Sequence, residues 1–232
     1  AIALQMSHHL TERGVPVLIV SQEMSDIALG KRTLQFLSEI PQDDWAFSTR
    51  ELREEAALHF AKRSPAYILE TIPNAIALCE RAIQMQTENG VRVLFVDYAQ
   101  IVQGIGKSQY ERVTDVSSRL RRLATETGLA IVCLAQLSRE VEKRPKFEPS
   151  GKDLKDSGQL EQDADVVVFA HWPYKIDQKN DRNLYSFIVD KNRNRAIRKY
   201  GFNVHFEPER QRLLDALSQA QTEFSNDFNG YN

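Results

Sequence analysis

VRVLFVDYAQ, residues 91–100, decides how this chain is read. Its apolar run does not alternate, so the strand it forms is buried on both faces, as in the interior of a parallel sheet. The run ends abruptly in Asp97. The carboxyl ends of strands in open α/β sheets are where ligands bind. A carboxylate there is also how nucleotide-hydrolysing proteins hold Mg²⁺ beside phosphates. A buried cap for the following turn would use the same residue, and this stretch alone leaves both readings open.

Short apolar runs and helical patterns alternate on either side of it. VPVLIVS (15–21), AYILET (66–71), LAIVCLAQ (129–136), DVVVFAH (165–171) and LYSFIVDK (184–191) read as strands, LAIVCLAQ as another buried one. YGFNVHFE (200–207) alternates, as an edge strand does. Helices are expected over 26–39 with Ile27, Leu34 and Leu37 inward, over 50–62, and over 74–88 with Ile76, Cys79, Ile83 and Gln86 on neighbouring turns. SQYE (108–111) has the form of a capping box and opens a helix carrying Val113, Val116, Leu120 and Leu123, which Gly128 ends. Residues 138–163 are polar and read as a long loop, and the tail from Asp215 reads as disordered. Strand, helix and strand in this order mean a parallel sheet with crossover helices, in one domain over residues 1–214.

The opening AIALQMSHHLTERG reads as a helix already under way. Ile2, Met6 and Leu10 repeat at helical spacing, no capping residue precedes them, and Gly14 stops the helix. The expectation is a chain cut inside an element.

Bulk properties narrow the class. With 232 residues, 42% hydrophobic and 27% charged, the chain can build one large core and is ordinary for a soluble α/β protein. A net charge of −2 gives no global basic field, which leaves room only for a local basic lining. Cys79 and Cys133 lie in apolar segments and read as small buried hydrophobes, not as a bridge or metal site. No run is long enough to span a membrane and no signal peptide is visible, so the cytoplasm is the expected compartment.

Polar residues gather at the ends of the strands. Glu23 follows VLIVS, where a carboxylate can orient or deprotonate a water attacking a γ-phosphate. It is equally placed as an acid at the start of a helix. Gln136 follows LAIVCLA, where an amide can donate to phosphate oxygens or merely close a strand. DKNRNR (190–195) offers Lys191 and Arg193, cations suited to a phosphate of this or a neighbouring subunit, or to a solvated turn. DLKDSGQLEQDAD (153–165) places a Lys, small residues and a Gly before a strand, a setting for phosphate-backbone contact or for an ordinary acidic loop. Taken together, four polar strand ends are expected to converge on one edge of one sheet.

SQEM, LFVDYAQ, LAQLSR, DLKDSGQLEQDAD and VDKNRN, in this order, closely resemble the C-terminal RecA-like motor domain of hexameric replicative DNA helicases of the DnaB type. The resemblance covers about residues 1–213. It implies a RecA-like, mostly parallel sheet flanked by helices, with an antiparallel C-terminal edge. It also implies ATP and Mg²⁺ as cofactors and a homo-hexamer moving 5′ to 3′ on single-stranded DNA, with a primase and a helicase loader as partners. Glu23 matches the family's catalytic glutamate, Asp97 the Walker B aspartate and Mg²⁺ ligand, and Gln136 the glutamine coupling γ-phosphate to DNA. Lys191 and Arg193 match the pair that enters the adjacent subunit's ATP site, Arg193 as the arginine finger. Lys155, Asp156 and Gly158 match the loop that grips the strand, although Lys155 and Asp156 replace the family's usual Arg and Glu. The family's Gly-rich phosphate loop ending in Lys-Thr comes immediately before a helix like 1–13 and is absent from this chain, so the 232 residues alone are expected to bind ATP poorly and not to hydrolyse it. A RecA-fold recombinase or clock-type ATPase would share the sheet and the strand-end acids but lack the DLKDSG–EQDAD string. A non-catalytic docking module for a replication partner would need none of Glu23, Asp97, Gln136 and Arg193.

Overall fold

The computed structural model of the chain describes residues 2–38, 66–69, 71–138, 141, 149–154, 158–194 and 200–214. The helix expected over 50–62 and the tail from Asp215 lie outside the described residues, as does the side chain of Leu34. The chain divides into two compact units, residues 1–138 with 154–163, and residues 139–153 with 164–232.

The first unit is built on a parallel sheet. Helix α1 (Ile2–Glu12) leads into β1 (Val17–Ser21) and α2 (Asp26–Ser38). Strand β2 (Ala66–Leu69), helix α3 (Ala75–Asn89), β3 (Val93–Asp97), α4 (Gln109–Thr127) and β4 (Ala130–Cys133) follow, with short α5 (Gly158–Asp163) completing the unit. The strand order is β2-β1-β3-β4, all parallel, with Ser21 opposite Asp97.

Alternate residues of β1 and β3 feed opposite layers, which is why neither strand alternates in polarity. Leu18, Val20, Leu94 and Val96 pack with Ala75, Leu78, Ala82 and Met85 of α3 and with Val116, Leu120 and Leu123 of α4. Val17, Ile19, Val93 and Phe95 pack with Leu4 of α1 and with Leu29 and Phe36 of α2. The sheet is therefore sandwiched between two helical layers, and burial on both faces offsets the entropy of ordering it. Strand β4 is different: it ends the sheet among the described residues and is only partly buried, where the sequence suggested a fully buried strand.

Helix α4 forms where its signals place it. Ser108 accepts from the Glu111 N–H while the Glu111 side chain returns to the Ser108 N–H, and Gly128 closes the helix in the left-handed region at φ 72°. Helices α2 and α3 differ from expectation in part, since Leu37 and Cys79 pack against the core but the isoleucines do not. Met6, Ile27, Ile76 and Ile83 are exposed. The buried stripes are instead Leu4, Ser7 and Thr11 in α1, Leu29, Thr33 and Phe36 in α2, and Ala75, Leu78, Ala82 and Met85 in α3. Each buried stripe mixes small residues with large ones that fill the space against the sheet, Leu4, Leu29, Phe36, Leu78 and Met85.

The second unit holds an antiparallel meander, β5 (Val166–His171), β6 (Leu184–Asn192), β7 (Tyr200–Glu207) and β8 (Arg212–Leu214), with a short helix α6 (Pro173–Ile176) after β5. It is a sheet of its own, hydrogen-bonded in the order β5-β6-β7-β8. Strand β7 is interior, paired with β6 and β8, so its alternation reflects two unlike faces and not an edge. Phe187 stacks on Phe202 across the β6–β7 pair, with ring centroids 5.2 Å apart. The stretch 138–163 is not loop throughout, since it contains a 3₁₀ turn at Gly151–Asp153 and helix α5.

Candidate functional site

The carboxyl ends of β1, β3 and β4 open onto a cleft of about 250 Å³ lined by Glu23, Asp97, Tyr98, Leu134, Ala135 and Gln136. Parallel strands whose ends are in register deliver these three segments to one place. The Gln22 N–H donates to the Asp97 carbonyl at 3.4 Å, and the Gln22 side-chain amide donates to the Ile72 carbonyl. Those bonds pin the turn that carries Glu23. Beyond β3 the chain continues through a cis Asp97–Tyr98 peptide, and the Ala99 N–H donates to the Leu134 carbonyl at 2.9 Å.

The local structure bears on two alternatives that spacing left open. Helix α2 begins after Ser25, whose hydroxyl accepts from the Ala28 N–H at 3.2 Å, and the acid of its first turn is Asp26. Glu23 therefore stands outside the helix, exposed and on the cleft. The 3₁₀ turn at Ala99–Ile101 starts from Tyr98 with no side-chain cap, so the Asp97 carboxylate does not serve as one.

Burial, and next the Glu23 carboxylate, raise Asp97 above the ordinary carboxylate range, with Arg32 acting in the opposite direction. The Asp97 and Glu23 carboxylates in one cleft form a donor set for a cation. Among the described residues no three acidic, His or Cys side chains cluster as a closed metal cage. A pair of carboxylates is what Mg²⁺ would use, its remaining positions being left to water and phosphate oxygens. Next to this site, burial and the Asp97 charge push the Cys133 thiol up to about 12, so it is inert as a nucleophile.

Lys191 and Arg193 do not share the parallel sheet. Both belong to the second unit, Lys191 within β6 opposite Val167, and Arg193 just past the strand. The expected convergence of four strand ends on one sheet is thus corrected to three. β6 pairs antiparallel with β5, and its end belongs to a different ladder. The Arg193 N–H donates to the Asp165 carbonyl at 2.8 Å, and its guanidinium lies 3.2 Å from the Asp165 carboxylate. Lys155 and Asp156 lie outside the described residues. Gly158 opens α5 on an exposed face, and a Cβ there would meet nothing within 4 Å.

Two features were not read from the sequence. One is a knot at the end of α5, where the Asp163 carboxylate accepts from Ser117 Oγ at 2.7 Å and from Gln159 Nε2 at 2.9 Å. Arg121 donates to the Asp163 carbonyl at 3.2 Å, so α5 hangs on α4. The other is Gly106-Lys107-Ser108, which spells the ending of a phosphate loop at a helix N-terminus. The Lys107 and Ser108 N–H groups there already donate to the Glu111 carboxylate, at 2.5 and 3.2 Å. A Cβ at Gly104 would collide with the Arg112 carbonyl oxygen, so the loop is closed down on α4 and leaves no phosphate cradle.

Comparison with known proteins agrees with this geometry. The family described as "DnaB-like helicase C terminal domain" matches residues 1–215. A "Probable plasmid replicative DNA helicase" of Chlamydia trachomatis serovar L2 is 34% identical over 217 residues, which is 90% of this chain and 46% of that protein. "Replicative DNA helicase DnaB" of Geobacillus stearothermophilus is 32% identical, over 85% of this chain and 46% of the relative. The chain thus spans about half the length of these relatives. Among solved structures, one described as an ATPase domain superposes with a TM-score of 0.85 at 23% identity, covering 93% of this chain and 79% of that one. The fold is that of RecA-like helicase ATPase domains, and the chain belongs to the family of DnaB-like helicase C-terminal domains.

Proposed function

We propose that this chain is the motor part of an ATP-dependent replicative helicase that moves 5′ to 3′ along single-stranded DNA as a homo-hexameric ring and unwinds duplex ahead of it. The observation that carries the reading is the meeting of Glu23, Asp97 and Gln136 in one cleft at the ends of three parallel strands. Residues 1–214 form the motor domain in this reading, with 215–232 as a tail outside it. The protein works in the cytoplasm with a primase and a loader. A solved neighbour at TM-score 0.85 is described as a DnaB-like replicative helicase with its interactions with primase. Among the described residues no helix is long and apolar enough to cross a membrane.

Asp97 would hold Mg²⁺ beside the β- and γ-phosphates of ATP, and that ion neutralises charge developing on the phosphoryl oxygens when bound. Glu23, standing clear of helix α2, orients the attacking water and takes its proton. Gln136, exposed at the cleft, donates its amide to the γ-phosphate and loses that contact after hydrolysis. Lys191 and Arg193 serve the neighbouring subunit's cleft, Arg193 exchanging Asp165 for a phosphate. Lys155, Asp156 and Gly158 grip the strand's backbone. The open space over Gly158 supports close approach of a phosphate to the main chain. The chain contains no Gly-rich loop ending in Lys-Thr, so these 232 residues alone are expected to bind ATP weakly and turn it over negligibly.

The test is ATP hydrolysis stimulated by single-stranded DNA, with duplex unwinding, in the full-length protein. Glu23→Gln and Asp97→Asn are each expected to lower kcat by about a hundredfold or more. Normal turnover by either variant contradicts the assignment.

A further inference from the structure

The Gln100 side chain makes two hydrogen bonds to the main chain of Gln136. Its Nε2 donates to the Gln136 carbonyl at 3.1 Å, and its Oε1 accepts from the Gln136 N–H at 3.2 Å. One primary amide thus meets both polar groups of a single residue, much as a neighbouring strand would. Strand β4 ends at Cys133, and the segment beyond it is tied by the bonds of Leu134 with Val96 and Ala99 and then by the antiparallel bridge of Leu137 with Leu154. Gln136 lies exposed between these two ties, and the Gln100 amide holds its own main chain.

Gln100 is itself fixed. It sits in the 3₁₀ turn after β3, beside the fully buried Ala99. Its carbonyl accepts from Gln109 Nε2 at 2.7 Å, and Gln109 Oε1 accepts from Arg112 Nη2 at 2.9 Å. The clasp is therefore anchored on the first turn of α4, the helix that also carries α5 through Asp163.

We infer that Gln100 is a positioning residue, whose amide clasps the Gln136 main chain and so presents the Gln136 side chain to the γ-phosphate. Gln100 does not line the cleft, and in this inference it acts through Gln136. The inference rests on reading Gln136 as the phosphate-sensing amide. The clasp requires a donor and an acceptor on one planar group. Alanine removes both. A glutamate carboxylate keeps the acceptor but turns a second oxygen against the Gln136 carbonyl. A protonated glutamic acid restores both functions.

The experiment measures steady-state ATP hydrolysis by the full-length protein with an oligo-dT strand, across pH, for the wild type, Gln100→Ala, Gln100→Glu and Gln136→Ala. Gln100→Ala is expected to lower kcat about tenfold while the KM for ATP stays within about twofold. Its melting temperature should stay within about 3 °C of the wild type. Gln100→Glu should match it near pH ~8. Relative to the wild type at the same pH, it should recover severalfold towards pH ~5.5, because a carboxyl facing a carbonyl oxygen titrates above its ordinary value of about 4.3. If Gln136→Ala is impaired but Gln100→Ala has wild-type kcat, the clasp has no positioning role. A Gln100→Ala loss that tracks melting, with no acid recovery of Gln100→Glu, marks a purely structural residue and also overturns the inference. If Gln136→Ala is fully active, the phosphate-sensing reading fails and takes the inference with it.

Discussion

At the scale of single residues, Asp97 shows how function sets itself against stability. Burial and the Glu23 charge raise its carboxyl above the ordinary range, so its ionised form is disfavoured in the fold. An acid raised in this way stabilises the fold fully below its unfolded pKa, and that contribution is lost as pH rises through the higher folded value. Asp97→Asn is therefore expected to melt above the wild type at neutral pH. The gap should close as the medium is acidified and Asp97 itself becomes neutral, and a melting series across pH checks both points. Gly158 makes a complementary case. Among the described residues nothing lies within 4 Å of a Cβ placed there, and alanine has the higher helix propensity. Gly158→Ala should unfold at equal or higher urea while single-strand affinity, followed by fluorescence anisotropy, falls about tenfold. Unchanged affinity would remove Gly158 from the DNA contact. The placement of Asp97, Glu23 and Gln136 at strand ends on one cleft was legible because a strand end is a local pattern. Gln100 was not, because its partner lies 36 positions away and only the sheet brings the two together.

At the scale of elements, α4 was readable in full while α2 and α3 were misread at Ile27, Ile76 and Ile83. In α4 the cap, the stop and a single aliphatic stripe agree, with Val113, Val116, Leu120 and Leu123 all buried. The other helices carry two competing stripes, and the buried one mixes small residues with Leu4, Leu29, Phe36, Leu78 and Met85, so hydrophobicity alone did not separate it from Ile27, Ile76 and Ile83. The cap of α4 also closes the Gly106-Lys107-Ser108 turn, through Glu111, whose carboxyl is held below its ordinary value by the Lys107 and Ser108 N–H groups. Ser108→Ala should cost about 1 kcal/mol of unfolding free energy in urea titrations. An unchanged midpoint would mean that the capping box contributes nothing to this helix.

At the scale of the whole molecule, the parallel sheet and its two helical layers followed from non-alternating strands between helical repeats. The antiparallel C-terminal end was expected too, and it forms its own ladder, whose pairing order period-two patterning does not give. This division places the proposed water-activating Glu23 and the proposed arginine finger Arg193 in different units of the chain. A ring in which each subunit lends its finger to the next uses both without requiring them in one site. The most direct test mixes two dead proteins. Full-length Glu23→Ala and Arg193→Ala are each assayed alone and then together for ATP hydrolysis on single-stranded DNA. The account predicts that each variant alone is nearly inactive and that the mixture regains activity, because some interfaces pair an intact Glu23 with an intact Arg193. Normal hydrolysis by Arg193→Ala alone, or a mixture as dead as its components, would contradict a site shared between subunits.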